Sequence, residues 1–298
     1  MSMKIGFSIL SHKTPDIQFE ALLNQLSTYP NYEIAIHHDF NQSDFNSKVI
    51  VNKNVYLIEN YVQTKWSHVN NIRALMKTFT HLYQQNCEWF ITLSANCYPI
   101  KSTKQITDFL EASQFDAYIE CNNIHSDHFD FYKYFRQAFN TAYLFSIPFF
   151  RKNGTFYCKP IRKKRDPNKI VFNDNLIPYH GSDWFIINRK TMAYILSNKE
   201  LIDTIVSFLD DVNKGADLNV CPPEVVFQTL IGNNETLKVN KNTYRYIDWT
   251  DSINWHPNIL VLKDFDAIQQ SEALFARKFD ATLSMDLIHK INKSILDK

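Results

Sequence analysis

Glycine is scarce in this chain, 5 residues in 298, and none stands in a G-x-G-x-x-G or G-x-x-x-x-G-K-[ST] pattern. That excludes the dinucleotide fingerprint and the P-loop, in which glycines let the backbone close around phosphate. A nucleotide would have to be held in some other way. Cysteine is also little used: Cys87, Cys97, Cys121, Cys158 and Cys221 are odd in number, widely spaced and form no C-x-x-C pair. Neither a disulfide framework nor a zinc knuckle is suggested, and free thiols suit a reducing compartment. The N-terminal apolar stretch, Ile5 to Leu10, is too short for a signal-peptide core or a membrane span, so a cytoplasmic protein is expected. Excess charge of one sign is missing too, with 32 Lys plus Arg against 31 Asp plus Glu. No global field draws nucleic acid, and any anion site must be local.

What is present is a hydrophobic fraction of 45%, enough to bury a full core. Buried strands are expected at Lys4 to Leu10, Tyr32 to His37, Val55 to Ile58, Trp89 to Leu93 and Ala117 to Glu120. Between them, Thr14-Pro15 offers a cap and first-turn proline for a helix with Ile17, Leu22, Leu23 and Leu26 on its apolar face. Ser67 to Gln85 has the helical period, and a third helix runs from about Lys104 to Ala112, capped by Ser102 or Thr103. Residues 121 to about 180 are aromatic-rich and aperiodic. A strand at Trp184 to Ile187 follows, with Asn188 capping a helix to Leu196, another helix at Leu201 to Leu209, and a last one from Ser284. Alternating strands and helices predict an α/β fold with a mostly parallel twisted sheet and helices on both faces. No repeat or linker interrupts it, so 1–298 reads as one domain. Its halves fall at about 1–120 and about 121–298.

Ligands of open α/β sheets bind beyond the carboxyl ends of the strands. The segments there, in order, are Ser11-His12-Lys13, Ile36-His37-His38-Asp39 and the run from Leu93 to Ser102 that includes Ala95-Asn96-Cys97. Gly181-Ser182-Asp183-Trp184-Phe185, Cys221-Pro222-Pro223-Glu224 and Leu274-Phe275-Ala276-Arg277-Lys278-Phe279-Asp280 follow. Together these motifs resemble the core 2 / I-branching enzymes, glycosyltransferase family 14, over nearly the whole chain. The resemblance implies a GT-A-like fold and an inverting transferase. Such an enzyme would move N-acetylglucosamine, xylose or a related sugar from a UDP-sugar to a hydroxyl of a glycan or glycolipid acceptor. It also implies no metal and no cofactor beyond that co-substrate. Cell-surface polysaccharide synthesis is the expected setting.

Carried over by position, Glu224 resembles the family's general base. Its place behind two prolines, with Gly232 able to end a helix, puts it in a first turn where the helix dipole favours the carboxylate. The bland alternative is a glutamate that only supports its helix. Lys278 resembles the lysine that neutralises the donor diphosphate, with Arg277 beside it, since without a metal a cation must meet the charge of the departing nucleotide. The family's upstream arginine has no counterpart in the matching stretch Trp255-His256-Pro257-Asn258, which leaves Arg245 or His256 to replace it. Asp39 looks like a uracil or ribose contact, with His12 lining the same pocket. By the same resemblance Gly181-Ser182-Asp183-Trp184 lines the donor sugar, with Ser182 on the donor side and Asp183 and Trp184 toward the acceptor. Trp249 matches a tryptophan that stacks on the acceptor, against the alternative of a core residue.

Where metal-dependent relatives of this fold carry Asp-x-Asp, this chain has Ala95-Asn96-Cys97, a poor ligand set for Mg²⁺ or Mn²⁺. Asp264-Phe265-Asp266 spells the motif but reads as a helix cap. The aromatic insert Phe129 to Tyr134 is where acceptor specificity is expected. The run Arg162 to Arg165 reads as a solvated face, with peripheral contact to an anionic glycan or a membrane as the alternative. Two other classes compete with the transferase: a catalytically inactive glycan- or nucleotide-sugar-binding protein of the same fold, and a glycosidase. The glycosidase reading lacks a second acid near Glu224.

Overall fold

The computed structural model describes residues 3–126, 130–152, 155–215, 219–250, 252 and 256–296. The first half contains β1 (Ile5–Ser11), α1 (Ile17–Ser27), β2 (Tyr32–His38), β3 (Val55–Leu57), α2 (Asn70–Gln84), β4 (Trp89–Ser94), β5 (Tyr98–Pro99), α3 (Thr103–Glu111), β6 (Ala117–Tyr118) and β7 (Asn122–Asn123). The second half begins with α4 (Asp130–Asn140), β8 (Thr141–Lys152), β9 (Thr155–Lys164), β10 (Tyr179–His180), β11 (Ile186–Asn188), α5 (Arg189–Ser197) and α6 (Lys199–Val212). It ends with α7 (Val226–Gly232), β12 (Val239–Asn240), β13 (Arg245–Ile247), α8 (Phe265–Gln270), β14 (Phe275–Arg277) and α9 (Met285–Ile291).

The main sheet has seven strands in the order β12-β6-β11-β4-β1-β2-β3 and draws on both halves. Its pairs are parallel except those of β11, which runs antiparallel to both β4 and β6. The expected mostly parallel α/β sheet is therefore what forms. Successive side chains on a strand point to opposite faces, and the core divides accordingly. Ile5, Phe7, Ile9, Ile34, Ile36, Ile91 and Leu93 pack with α1, α3, α8 and α9 on one face. Ala35, Phe90 and Ile187 pack with α2, α4, α5, α6 and α7 on the other.

Local signals account for most boundaries. Ser102 and Gln105 form a reciprocal capping box at α3, and Asn188 accepts from Thr191 N at α5. The start of α1 differs from expectation. Asp16, not Thr14, is the cap, with its carboxylate accepting from Phe19 N at 2.9 Å. That sets the buried face as Phe19, Leu22, Leu23 and Leu26, an i, i+3, i+4, i+7 series, and leaves Ile17 58% exposed two positions out of phase.

The stretch read as aperiodic holds α4 and a two-stranded hairpin, β8 with β9, that pairs with no other strand among the described residues. Of the aromatic insert, Phe129 lies outside the described residues. The basic run is not uniformly solvated. Lys163 and Lys164 are exposed, but Arg165 is buried: it pairs with Asp211 and donates to the carbonyls of Phe139 and Thr141. A small second sheet, β13-β14-β5, stands beside the carboxyl edge of the first.

Candidate active site

Because β11 runs against its neighbours, its beginning lies at the sheet edge where β1 and β4 end. The approach to β11, Gly181 to Phe185, thereby meets Glu120, just past β6, and the turn at Pro222 to Glu224. Gly181 N donates to Glu224 O at 3.0 Å. A Cβ at 181 would lie 1.9 Å from Glu120 O, so the two backbones approach this closely only around a glycine. Glu120 Oε2 accepts from Ser182 N at 3.1 Å, and Gln228 Nε2 donates to Ser182 O at 2.8 Å, which fixes the segment from both sides.

Glu224 does not sit in the first turn of the helix as expected. Pro222 and Pro223 have no N–H, and the first donors, Glu224 N and Val225 N, reach back three residues to Cys221 O and Pro222 O. The result is a 3-10 turn over Pro222–Glu224, with α7 beginning only at Val226. Glu224 is held instead by a residue that the motifs did not single out. His180 Nε2 lies 3.2 Å from Glu224 Oε2, and since a carboxylate only accepts, the ring nitrogen donates. His180 is wedged against Phe131, Tyr132 and Phe135, and Tyr132 Oη stands 3.5 Å from its Nδ1. The sequence signal was its position directly before Gly181-Ser182.

Glu224 opens into a cavity of about 570 Å³. Ser182, Asp183 and Trp184 line it, and so do Arg245, Trp249, His256, Arg277 and Lys278 from the small sheet and the segments that follow β13 and β14. Trp249 is 51% exposed, which removes the core alternative. Trp66 joins the lining at 72% exposure; as an isolated tryptophan ahead of α2 it carried no motif. Trp255 lies outside the described residues.

His12 and Asp39 are not part of this lining. His12 lines an adjoining small cleft with Lys13, Ser94, Ala95 and Asn96. Burial lowers its pKa, and the positive charges of Lys13 and Lys278 add to the effect, so the two spaces share one electrostatic environment. Asp39, expected to contact a nucleoside, is fully buried. Its oxygens accept from Asn41 N, Gln42 Nε2, Thr64 N and Thr64 Oγ1. Burial alone would raise its pKa, but these hydrogen bonds hold it well below the usual carboxylate range. In this arrangement Asp39 ties together the loops after β2 and before α2.

The cavity is polarised. Burial pushes Asp183 up to about 6, helped by the charge of Glu224 and opposed by Arg277. A second carboxyl therefore does stand near Glu224, contrary to expectation. On the cationic side, burial lowers Lys278, with Arg277 and Lys13 adding repulsion. Arg245 is brought down to about 10 by burial and by Arg277. Register pairs Arg245 with Phe275 and Ile247 with Arg277, so the two arginines arrive from neighbouring parallel strands. Arg245 Nη1 and Nη2 donate to Thr243 O and Thr92 O, and Arg277 lies 4.4 Å over the Trp184 ring. The Nε of each arginine is buried and makes no hydrogen bond among the described residues. Two guanidiniums with donor capacity to spare, beside a lysine, suit an anion with several oxygens.

At the Asp-x-Asp position the side chains are already engaged with the protein. Asn96 Nδ2 donates to Phe279 O at 3.0 Å and Asn96 O accepts from Phe279 N at 2.9 Å, while the Cys97 sulfur is buried and receives Ser94 N. These groups do not fit Mg²⁺ or Mn²⁺; Asn96 instead anchors the residue after Lys278. Asp264, the start of the alternative motif, stands at the N-cap position of α8, but its carboxylate accepts from Val261 N at 2.8 Å in the preceding turn and makes no hydrogen bond into the helix. Among the described residues no three His, Cys, Asp or Glu side chains gather at one point.

Comparison with known proteins gives a family match: the model for the Core-2/I-Branching enzyme covers residues 5–269. Xylosyltransferase 1 of Canis lupus familiaris is 24% identical over 250 residues, which take in 77% of this chain and 24% of that protein. Xylosyltransferase 1 of Homo sapiens is 22% identical over 315 residues, 97% of this chain and 30% of that protein. The chain thus spans under a third of the length of these relatives. Among solved structures, mouse xyloside xylosyltransferase 1 in its apo form superposes with a TM-score of 0.39 at 10% identity, covering 91% of this chain and 97% of that one.

Proposed function

The chain belongs to the Core-2/I-Branching enzyme family, and on that premise we propose that it is an inverting glycosyltransferase. It moves one sugar, N-acetylglucosamine, xylose or a relative, from a UDP-sugar to a glycan or glycolipid hydroxyl without a metal. The observation that carries this reading is the cavity itself, with Glu224 on one wall and Arg245, Arg277 and Lys278 on another. The reaction is a single displacement. Glu224, oriented by His180, takes the proton of the acceptor hydroxyl as its oxygen bonds to the anomeric carbon. The bond from that carbon to UDP breaks, and the departing diphosphate gains charge next to the three cations. Arg245 is the better replacement for the family's upstream arginine, since it lines the cavity beside Arg277 and a guanidinium stays charged at working pH. Trp249 and Trp66 offer flat faces for acceptor sugars.

Asp183 beside Glu224 gives the glycosidase reading the second acid it needs. The cations favour the transferase, because a glycosidase releases no diphosphate and has no use for three positive groups at its leaving-group side. The test is Glu224→Gln, assayed with UDP-xylose and UDP-N-acetylglucosamine for transfer and for slow donor hydrolysis. Transfer should fall about 100- to 10,000-fold, as for loss of a general base, with UDP affinity and melting temperature kept. A variant of full activity overturns the mechanism. A wild type that binds UDP-sugars yet never turns them over leaves a binding protein, and cleavage of simple glycosides without UDP indicates a glycosidase.

A further inference from the structure

The hairpin β8–β9 is unlike the rest of the surface. Residues 141–164 contain six Lys or Arg and no Asp or Glu, although the whole chain is nearly neutral. They also hold six Phe or Tyr. Among the described residues the two strands pair only with each other, and an isolated two-stranded ribbon is marginal in water unless something covers it. Its base is fastened: Arg162 donates to Val212 O and Lys214 O, and Arg165 to Phe139 O and Thr141 O. Beyond the base, Leu144, Phe145 and Ile147 are 44%, 53% and 40% exposed. Phe145 pairs with Ile161 and Ile147 with Lys159. Opposed residues share a face, as do alternate residues of one strand, so Phe145, Ile147 and Ile161 form one apolar strip with Lys159 at its side. Lys163 and Lys164, opposite Ala142 and Thr141, are exposed at the foot of the ribbon.

We propose that this hairpin is a membrane-interface anchor: the apolar strip enters the headgroup region of an anionic bilayer while its lysines meet the lipid phosphates. The charge pattern selects the occupant. Basic residues next to exposed aromatic and aliphatic side chains are the composition of interfacial segments, where the two attractions add. A soluble polyanionic glycan would engage the lysines and leave Leu144, Phe145 and Ile147 in water without purpose. The anchor does not depend on the transfer chemistry, and its test needs no donor.

The experiment is flotation of the full chain with phosphatidylglycerol–phosphatidylcholine vesicles beside vesicles of phosphatidylcholine alone. Binding to the anionic vesicles, weakened by salt, is expected. Lys163→Gln with Lys164→Gln should weaken it roughly fivefold for each lysine removed. Phe145→Thr with Ile147→Thr keeps strand-forming residues and all charge, and should weaken it at least about tenfold. Both pairs should keep the wild-type melting temperature and UDP affinity, which separates failure of the anchor from failure of folding or of the transferase reading. Three results overturn the proposal: no flotation with anionic vesicles, flotation indifferent to Phe145→Thr with Ile147→Thr together with tight binding to a soluble polyanion, or an oligomer that the same substitutions dissolve.

Discussion

The raised Asp183 carries a signed consequence for pH. In the unfolded chain its carboxyl titrates near 3.8, and in the folded protein near 6. Between those values the folded state keeps a proton that the unfolded state has lost, so stability falls as pH rises through the window and is already reduced at neutral pH. The size is on the order of 3 kcal/mol. Denaturant unfolding from pH 4 to 7 should show this limb in the wild type and a flatter one in Asp183→Asn, which becomes the more stable protein at pH 7. A variant less stable than wild type at pH 7 would mean that the charged form has support within the cavity. At Gly181 the constraint is steric. Gly181→Ala forces Glu120 and the Glu224 turn apart, costing about 1–3 kcal/mol or more and most of the activity. Circular-dichroism melting and donor turnover of the purified variant check both.

Among the elements, α2, α3 and α5 were legible because each has a helical apolar period and two have side-chain caps. The hairpin was not. Its register shifts between Tyr143 and Phe145 and again between Pro148 and Phe150, which interrupts the alternation, and its basic foot looks like solvated surface. Arg165 shows how the reading failed, since only the turn of the chain out of β9 brings it against the end of α4 and the side of α6. Arg165→Ala leaves two carbonyls without their donor and Asp211 with Lys214 alone. The expected loss is about 3 kcal/mol, at the lower end for breaking a buried pair because Asp211 is partly exposed. Equilibrium unfolding in urea measures it, and an unchanged midpoint would show the hairpin base to be held by other contacts. The direction of β11 was equally hidden, although it decides that Gly181 to Trp184 reach the site, because a three-residue strand reads the same in either sense.

Across the whole molecule, the order of short motifs along the chain brought Glu224, Ser182, Asp183, Trp184, Arg245, Trp249, His256, Arg277 and Lys278 to one cavity. It could not supply His180 or Trp66, whose places depend on what folds against them. A site whose cations are side chains should work in excess EDTA at its full rate. Loss of turnover in EDTA with recovery on Mn²⁺ would refute that. UDP at about 100 times its dissociation constant should add roughly 2.7 kcal/mol to stability, seen as a raised melting temperature that Lys278→Ala reduces.

The margins of the main sheet bear on how the protein behaves when crowded. The sheet ends in β3, three residues, on one side and β12, two residues, on the other. Each offers roughly 10 Å or less of free backbone at about 3.3 Å per residue. Edge-to-edge growth of cross-β fibres needs a longer template, so a second copy finds almost no purchase on the native sheet. Native-state association through strand edges is thereby confined to the longer strands of the β8–β9 ribbon, of 12 and 10 residues.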